Sequence, residues 1–157
     1  MKIALGSAEA NALTNVLIAE LGQRGYSIVL RGPIDPADPD VDWPLTSSHE
    51  AELVARGEVD EGIVCCWTGT GASLAANKVP GVRAALCHDA ETARGARIWN
   101  HANVLALSLR STAMPIAREI LDAWFNTPRN EGEAQSDRNR QPIARVTEIE
   151  QRYASRR

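Results

Sequence analysis

Five short apolar runs alternate with segments of helical periodicity along this chain, and that alternation leaves few folds open to it. The runs are Ile3–Gly6, Ser27–Leu30, Gly62–Cys66, Val82–Cys87 and Asn103–Leu107. Between the first two, Leu13, Val16, Leu17 and Leu21 mark one face of a helix ending near Gly25. Further helices are predicted over Ser47–Arg56, Ala90–Trp99 and Ala113–Phe125, and one more opens directly after the turn that follows Cys66. Strands separated by helices imply a parallel sheet covered on both faces. The predicted class is therefore α/β: a Rossmann-like three-layer α/β/α sandwich with a five-stranded parallel sheet and a C-terminal helical tail. Ligands of such sheets sit beyond the carboxyl ends of the strands, and Ser7, Cys66, His88 and Arg110 all fall at those ends.

At 157 residues, the chain is long enough for one domain with a core, assigned to residues 1–125, and an appended tail, residues 126–157. The tail begins with a polar linker, Asn126–Gln141, rich in Pro, Gly and Asn. After Pro142, residues Ile143, Val146, Ile149 and Tyr153 form an apolar stripe too narrow for a core of its own, which predicts docking on a neighbouring subunit. From Arg129 onward seven arginines face five acids, which reads as a solvated tail, a strip gripping a neighbour, or an anion site. Gly32–Asp40 carries three prolines and is predicted to be a surface loop. No apolar run approaches the ~20 residues of a membrane span, and no charged-then-apolar leader opens the chain. Three cysteines, two adjacent, make no disulfide framework, so a reduced, cytoplasmic protein is expected. A net charge of −3 argues against a general nucleic-acid binder.

The chemistry concentrates in Cys66-Trp67-Thr68-Gly69-Thr70-Gly71. An apolar strand delivers a thiol into a glycine-containing turn whose backbone N–H groups point outward, able to hold an oxyanion or a phosphate. A thiol beside an anion site is what proton abstraction next to a carbonyl requires; the plain alternative is a buried cysteine that only packs. Strand alternation puts Cys65 and Cys66 on opposite sides, and Cys66, adjoining the turn, is the candidate base. Cys65, Cys66, Cys87 and His88 lack the two-to-four-residue gap that zinc sites favour, so no metal is assigned. Trp124 lies on an apolar helix face and reads as core, while His49, on an exposed helix, carries no signal.

Several segments share a resemblance: Met1-Lys2-Ile3-Ala4-Leu5-Gly6-Ser7, Asp42-Trp43-Pro44, the run from Cys66 through Asp89, Ala102-Asn103-Val104-Leu105, and Arg110. From Met1 to about Trp124 the chain resembles the type B ribose-5-phosphate isomerases and galactose-6-phosphate isomerases. The resemblance implies an aldose–ketose isomerase that moves a proton through a cis-enediolate without a cofactor. It makes Cys66 the base, Thr68 the hydroxyl that carries a proton between oxygens, Gly69 and Gly71 donors to the enediolate, and Asn100 a sugar-binding amide. A thiol of ordinary pKa ~8.5 is only a few per cent thiolate at pH 7, and the turn's N–H groups would make it a usable base.

Other positions depart from the family's pattern. Its Ser-Asp-His-Ala-Gly reads here Ser7-Ala8-Glu9-Ala10-Asn11, placing Glu9 where a phosphate-binding His belongs. Its His-Asn-Asp reads Trp99-Asn100-His101, so the ring-opening His is replaced. His101 has two roles open to it, inheriting that task or satisfying a loop carbonyl. Arg138 matches one phosphate-binding Arg, while the second falls near Pro142, with Arg140 as a substitute. Trp43, Trp67 and Trp99 occupy motif positions, where indoles either line a remodelled pocket or record drift in a relaxed site. The chain is read as an isomerase acting on a non-standard sugar, polyol or other carbonyl substrate, with ribose 5-phosphate doubtful. The alternative is a non-catalytic or partner-dependent subunit of a sugar-phosphate isomerase assembly. The resemblance also implies a homodimer or dimer of dimers; no nucleic acid or membrane is expected as a partner.

Overall fold

Capping side chains set where the helices at Ala12, Trp43 and Ala90 begin in the computed structural model, which describes residues 1–154. After strand β1 (Lys2–Ser7), Asn11 accepts from the Thr14 amide while Thr14 Oγ1 accepts from Asn11 N, a reciprocal cap opening α1 (Ala12–Gln23). Strand β2 (Ser27–Arg31) follows, and then a loop that includes a short 3-10 turn, Gly32–Ile34. Helix α2 (Trp43–Ala55) starts ahead of the predicted Ser47, because Asp42 caps it through the Leu45 amide at 2.9 Å. Pro44, in its first turn, needs no partner for an N–H it lacks.

Next come β3 (Glu61–Cys66), α3 (Thr70–Ala76), β4 (Ala84–Leu86), α4 (Ala90–Asn100), β5 (Val104–Ser108) and α5 (Met114–Phe125). Strand β4 is shorter than the predicted Val82–Cys87. It pairs only with β5 at the edge of the sheet, through Ala84, Ala85 and Leu86.

The five strands are all parallel, in the order β2-β1-β3-β5-β4. Both faces are buried, with bulk divided between them by alternation. Ile3, Leu5, Ile63, Cys65, Leu105 and Leu107 pack under α1, α4 and α5; Ala4, Val64, Cys66, Val104 and Ala106 pack under α2 and α3. The chain leaves β1 to one side for β2 and returns to the other for β3, so the topological switch lies between the carboxyl ends of β1 and β3.

The tail differs from the sequence expectation. Helix α6 (Asp137–Ala154) begins inside the predicted linker and passes through Pro142. It starts before the proline: the Ser136 carbonyl accepts from the Asn139 and Arg140 amides, and Asn139 Nδ2 donates to the Glu133 carbonyl at 2.7 Å. Pro142 then forgoes one N–H in the second turn without ending the helix. Further along, Glu150 Oε1 accepts from Gly81 N at 2.9 Å, holding α6 beside the 77–83 segment of the same chain. Val146, Ile149 and Tyr153 remain about half exposed there. Among the described residues, no helix is long and apolar enough to cross a membrane.

One buried ion pair fastens the amino ends of the strands. Arg97 Nη2 donates to Glu61 Oε1 at 2.6 Å, Trp124 Nε1 donates to Glu61 Oε2 at 2.6 Å, and the guanidinium lies 4.8 Å from the Trp124 ring centroid. Arg97 also donates to the Ala102 and Thr127 carbonyls, tying α4 to β5 and to the segment after α5. Burial pushes the Glu61 carboxyl up, and Arg97 opposes that shift. Removing one charge from such a pair leaves the other uncompensated, at a cost of roughly 3 kcal/mol. Glu61→Gln is therefore expected to lower the urea-unfolding free energy by about that amount, and a loss below ~1 kcal/mol would contradict the role assigned to the pair.

Candidate active site

Cys66 closes β3 at the switch point, and its backbone shapes the turn beyond it. The Cys66 carbonyl accepts from Gly69 N at 3.1 Å and from Leu109 N at 3.0 Å. Gly69 has φ +77°, and a side chain there would meet Leu86 Cδ1 at 2.5 Å and the Leu107 carbonyl carbon at 2.9 Å. Only glycine both adopts that conformation and fits that space. The turn brings the first turn of α3 over the thiol, and Cys66 Sγ accepts from the Ala72 amide at 3.3 Å.

The other two thiols stay protonated at neutral pH. Burial pushes Cys65 far up, helped by its neighbours Cys66 and Glu50, and burial together with Asp89 pushes Cys87 up to about 12. Cys65 lies in the core under α1, α4 and α5, on the opposite side from Cys66. His88 points outward beside Asp89, 79% exposed. These four residues therefore do not converge on one ion.

A cavity of about 320 Å³ opens over Cys66, lined also by Ala8, Glu9, Trp43, Trp67, Thr68, Thr70 and Gly71. Ser7 is fully buried beneath it; its hydroxyl donates to the Glu9 carbonyl at 2.7 Å and so shapes the Ala8–Glu9 turn. The Glu9 side chain stands exposed at the rim. Trp43, the first residue of α2, lays its indole on Gly71, where an added Cβ would sit 3.0 Å from Trp43 Cε3. Gly71 is thus fixed by close approach of a ring. Trp67 is 55% exposed at the mouth. Arg110 follows β5 and its amide donates to the Trp67 carbonyl at 2.9 Å, but its exposed side chain does not line the cavity.

The remaining residues read from the sequence lie elsewhere in the chain. Trp99 and Asn100 end α4, at the amino ends of the strands, and β3, six residues long, puts them ~20 Å from Cys66. Both are exposed, with the Trp99 ring lying over Gly95. His101 is buried with φ +49°, and its Nε2 pairs with the Ala134 carbonyl at 2.7 Å. Of the two roles open to it, the structure displays the loop-satisfying one. Arg138 is exposed in the first turn of α6, near that same end. One chain therefore gathers Glu9, Trp43, Cys66, Trp67, Thr68, Gly69 and Gly71, and holds Trp99, Asn100, His101 and Arg138 apart from them.

Sequence reasoning passed over Thr70 and the Ala72 amide. The available signal was the repeat of threonine two residues apart across Gly69, which puts two hydroxyls on one turn.

Residues 3–141 match the Ribose/Galactose Isomerase family model, and the chain belongs to that family. It is 37% identical over 152 residues to ribose-5-phosphate isomerase B of Escherichia coli, covering 96% of this chain and 97% of that protein. It is 35% identical over 127 residues to D-erythrulose-4-phosphate isomerase of Pectobacterium atrosepticum, covering 80% and 83%. Among solved structures, ribose-5-phosphate isomerase B of Clostridium thermocellum superposes with a TM-score of 0.85 at 39% identity, covering 98% and 99% of the two chains.

Proposed function

We propose that the chain is a sugar isomerase in which Cys66 carries a proton between adjacent carbons of a polyhydroxy carbonyl substrate. The observation behind this reading is a thiol at the switch point that lines the floor of the cavity and accepts from the Ala72 amide at 3.3 Å. As thiolate, Cys66 takes the proton beside the carbonyl, and the N–H groups of the Gly69–Gly71 turn stabilise the enediolate oxygens. Thr68, on the cavity wall, exchanges protons with those oxygens.

The substrate class follows from the rim. Relatives are named for phosphorylated sugars, yet Glu9 stands here where the family's pattern has a phosphate-binding His. A carboxylate about 4 Å from a phosphate charge costs on the order of 1–4 kcal/mol per pair at effective dielectrics of 80–20. Indole faces at Trp43 and Trp67 suit the apolar face of a sugar, and Glu9 suits its hydroxyls. The preferred substrate is accordingly an unphosphorylated sugar or polyol-derived carbonyl.

The site is completed by a second copy, whose Trp99, Asn100 and Arg138 approach from the amino ends of its strands. The distance between the two residue sets in one chain supports this arrangement. The same distance favours a second reading, in which a related but different subunit completes the site and the isolated chain is inactive.

One experiment on the full chain separates these readings. Sedimentation at micromolar concentration is run beside isomerisation assays on D-ribose, ribose 5-phosphate and D-erythrulose 4-phosphate. A dimer or larger, with D-ribose preferred over ribose 5-phosphate by roughly 10-fold or more in kcat/KM, is expected. An active monomer would overturn the shared site. Turnover of ribose 5-phosphate at an ordinary enzymatic rate, ~1–1000 per second, would overturn the substrate assignment. An inactive assembly would favour the different-subunit reading.

A further inference from the structure

The Thr68 and Thr70 hydroxyls lie 2.7 Å apart on the cavity wall, in hydrogen-bond contact with each other. Neither caps α3, whose N-terminus has no side-chain capping bond among the described residues. Both side chains are exposed to the cavity side of the turn that holds Cys66. A hydroxyl has one proton and two lone pairs, so in such a pair one O–H points inward to its partner and the other remains free to donate. Reversing the direction of that internal bond moves the free proton from one oxygen to the other. The two oxygens of a cis-enediol are themselves about one hydrogen-bond length apart. The pair therefore matches the spacing of the two oxygens between which aldose–ketose isomerisation must move a proton.

We propose that Thr70 is the second hydroxyl of a two-hydroxyl proton relay, and this rests on the isomerase reading given above. In the direction from aldose to ketose, Cys66 removes the proton from C2 and the C1–C2 double bond forms as electrons move onto O1. Thr68 donates its proton to O1 and takes the Thr70 proton, while Thr70 takes the proton leaving O2 as the C2 carbonyl forms. Cys66 returns its proton to C1. One proton has passed from O2 to O1 and one from C2 to C1, both hydroxyls and the thiolate are restored, and no electrons leave or enter the substrate. A single hydroxyl would have to stay within reach of both O1 and O2 throughout, whereas two hydroxyls one hydrogen-bond length apart let each address one oxygen. Thr70 removes that requirement.

The test compares Thr70→Val, which keeps the shape and loses the hydroxyl, with Thr70→Ser, which keeps the hydroxyl. D-Ribose, ribose 5-phosphate and D-erythrulose 4-phosphate serve as probes in D2O. Carbon-bound deuterium in recovered substrate and conversion to product are followed together by NMR. Thr70→Val is expected to lower conversion roughly 10- to 100-fold while deuterium exchange falls far less, so exchange per conversion rises. Thr70→Ser is expected to restore the native ratio. A Thr70→Val protein that keeps native conversion, or loses exchange and conversion in parallel, overturns the relay. Absence of exchange by the native protein on every probe overturns the isomerase reading, and the relay with it.

Discussion

Native stability is expected to fall as pH rises from 5 to 9, and Glu50→Met to remove much of that slope. Glu50 is fully buried on the inner face of α2, and neither of its carboxyl oxygens has a hydrogen-bond partner among the described residues. It occupies the space a side chain on Gly62 would fill, since a Cβ there would lie 1.9 Å from Glu50 Oε1 and 3.0 Å from Val54 Cγ2. Burial pushes this carboxyl well above its ordinary range, and the nearby Ile63 amide opposes the shift only in part. The folded chain thus keeps a proton that the unfolded chain releases near pH 4.3. Because the folded state binds more protons, the contribution is full below that pH. It is lost at ~1.4 kcal/mol per unit as pH rises toward the folded-state pKa. Methionine is apolar, unbranched and of similar length, so it fits the same channel without a charge to bury. At pH 8, Glu50→Met is expected to be more stable than the native chain by about 2–4 kcal/mol, with the two converging near pH 5. Urea midpoints across the range measure it; parallel curves for the two proteins would show Glu50 to be paired by a group the structure does not reveal.

Glu50 also marks what could not be read from the sequence. The strands were legible because burial on both faces demands continuous apolar runs, and their separation by helices fixed the parallel arrangement. Nothing local distinguishes Glu50 from a solvated helix acid such as Glu52, because its burial depends on Gly6 in β1 and Gly62 in β3 leaving room. Glu61 escaped notice in the same way, since its partners Arg97 and Trp124 are 36 and 63 residues distant. At the site, the Cys66 turn was legible because thiol, hydroxyls and glycines are contiguous. The placing of Trp99, Asn100 and His101 was not, since motif matching records position along the chain and not which end of the sheet a residue occupies. The start of α6 was misplaced because Pro142 reads as a boundary, whereas helix begun from Ser136 runs through it.

The second large effect is expected at Cys66. Serine at this position is close in size, so Cys66→Ser should fold normally, with Ser Oγ able to accept from Ala72 N as the thiol does. A hydroxyl is far less acidic than a thiol, so at neutral pH serine supplies no base for carbon-bound protons. Removing the general base is expected to lower kcat/KM by at least ~100-fold, up to ~10,000-fold. Cys65→Ser is expected to do the reverse, leaving the reaction largely intact and costing stability, because it places a hydroxyl in the core under α1, α4 and α5. The most direct measurement follows solvent deuterium entering the carbon beside the carbonyl of D-ribose, with native protein, Cys66→Ser and Cys65→Ser run side by side at pH 7. The account predicts exchange with the native protein and with Cys65→Ser, and none above background with Cys66→Ser. Exchange by Cys66→Ser at the native rate would contradict it.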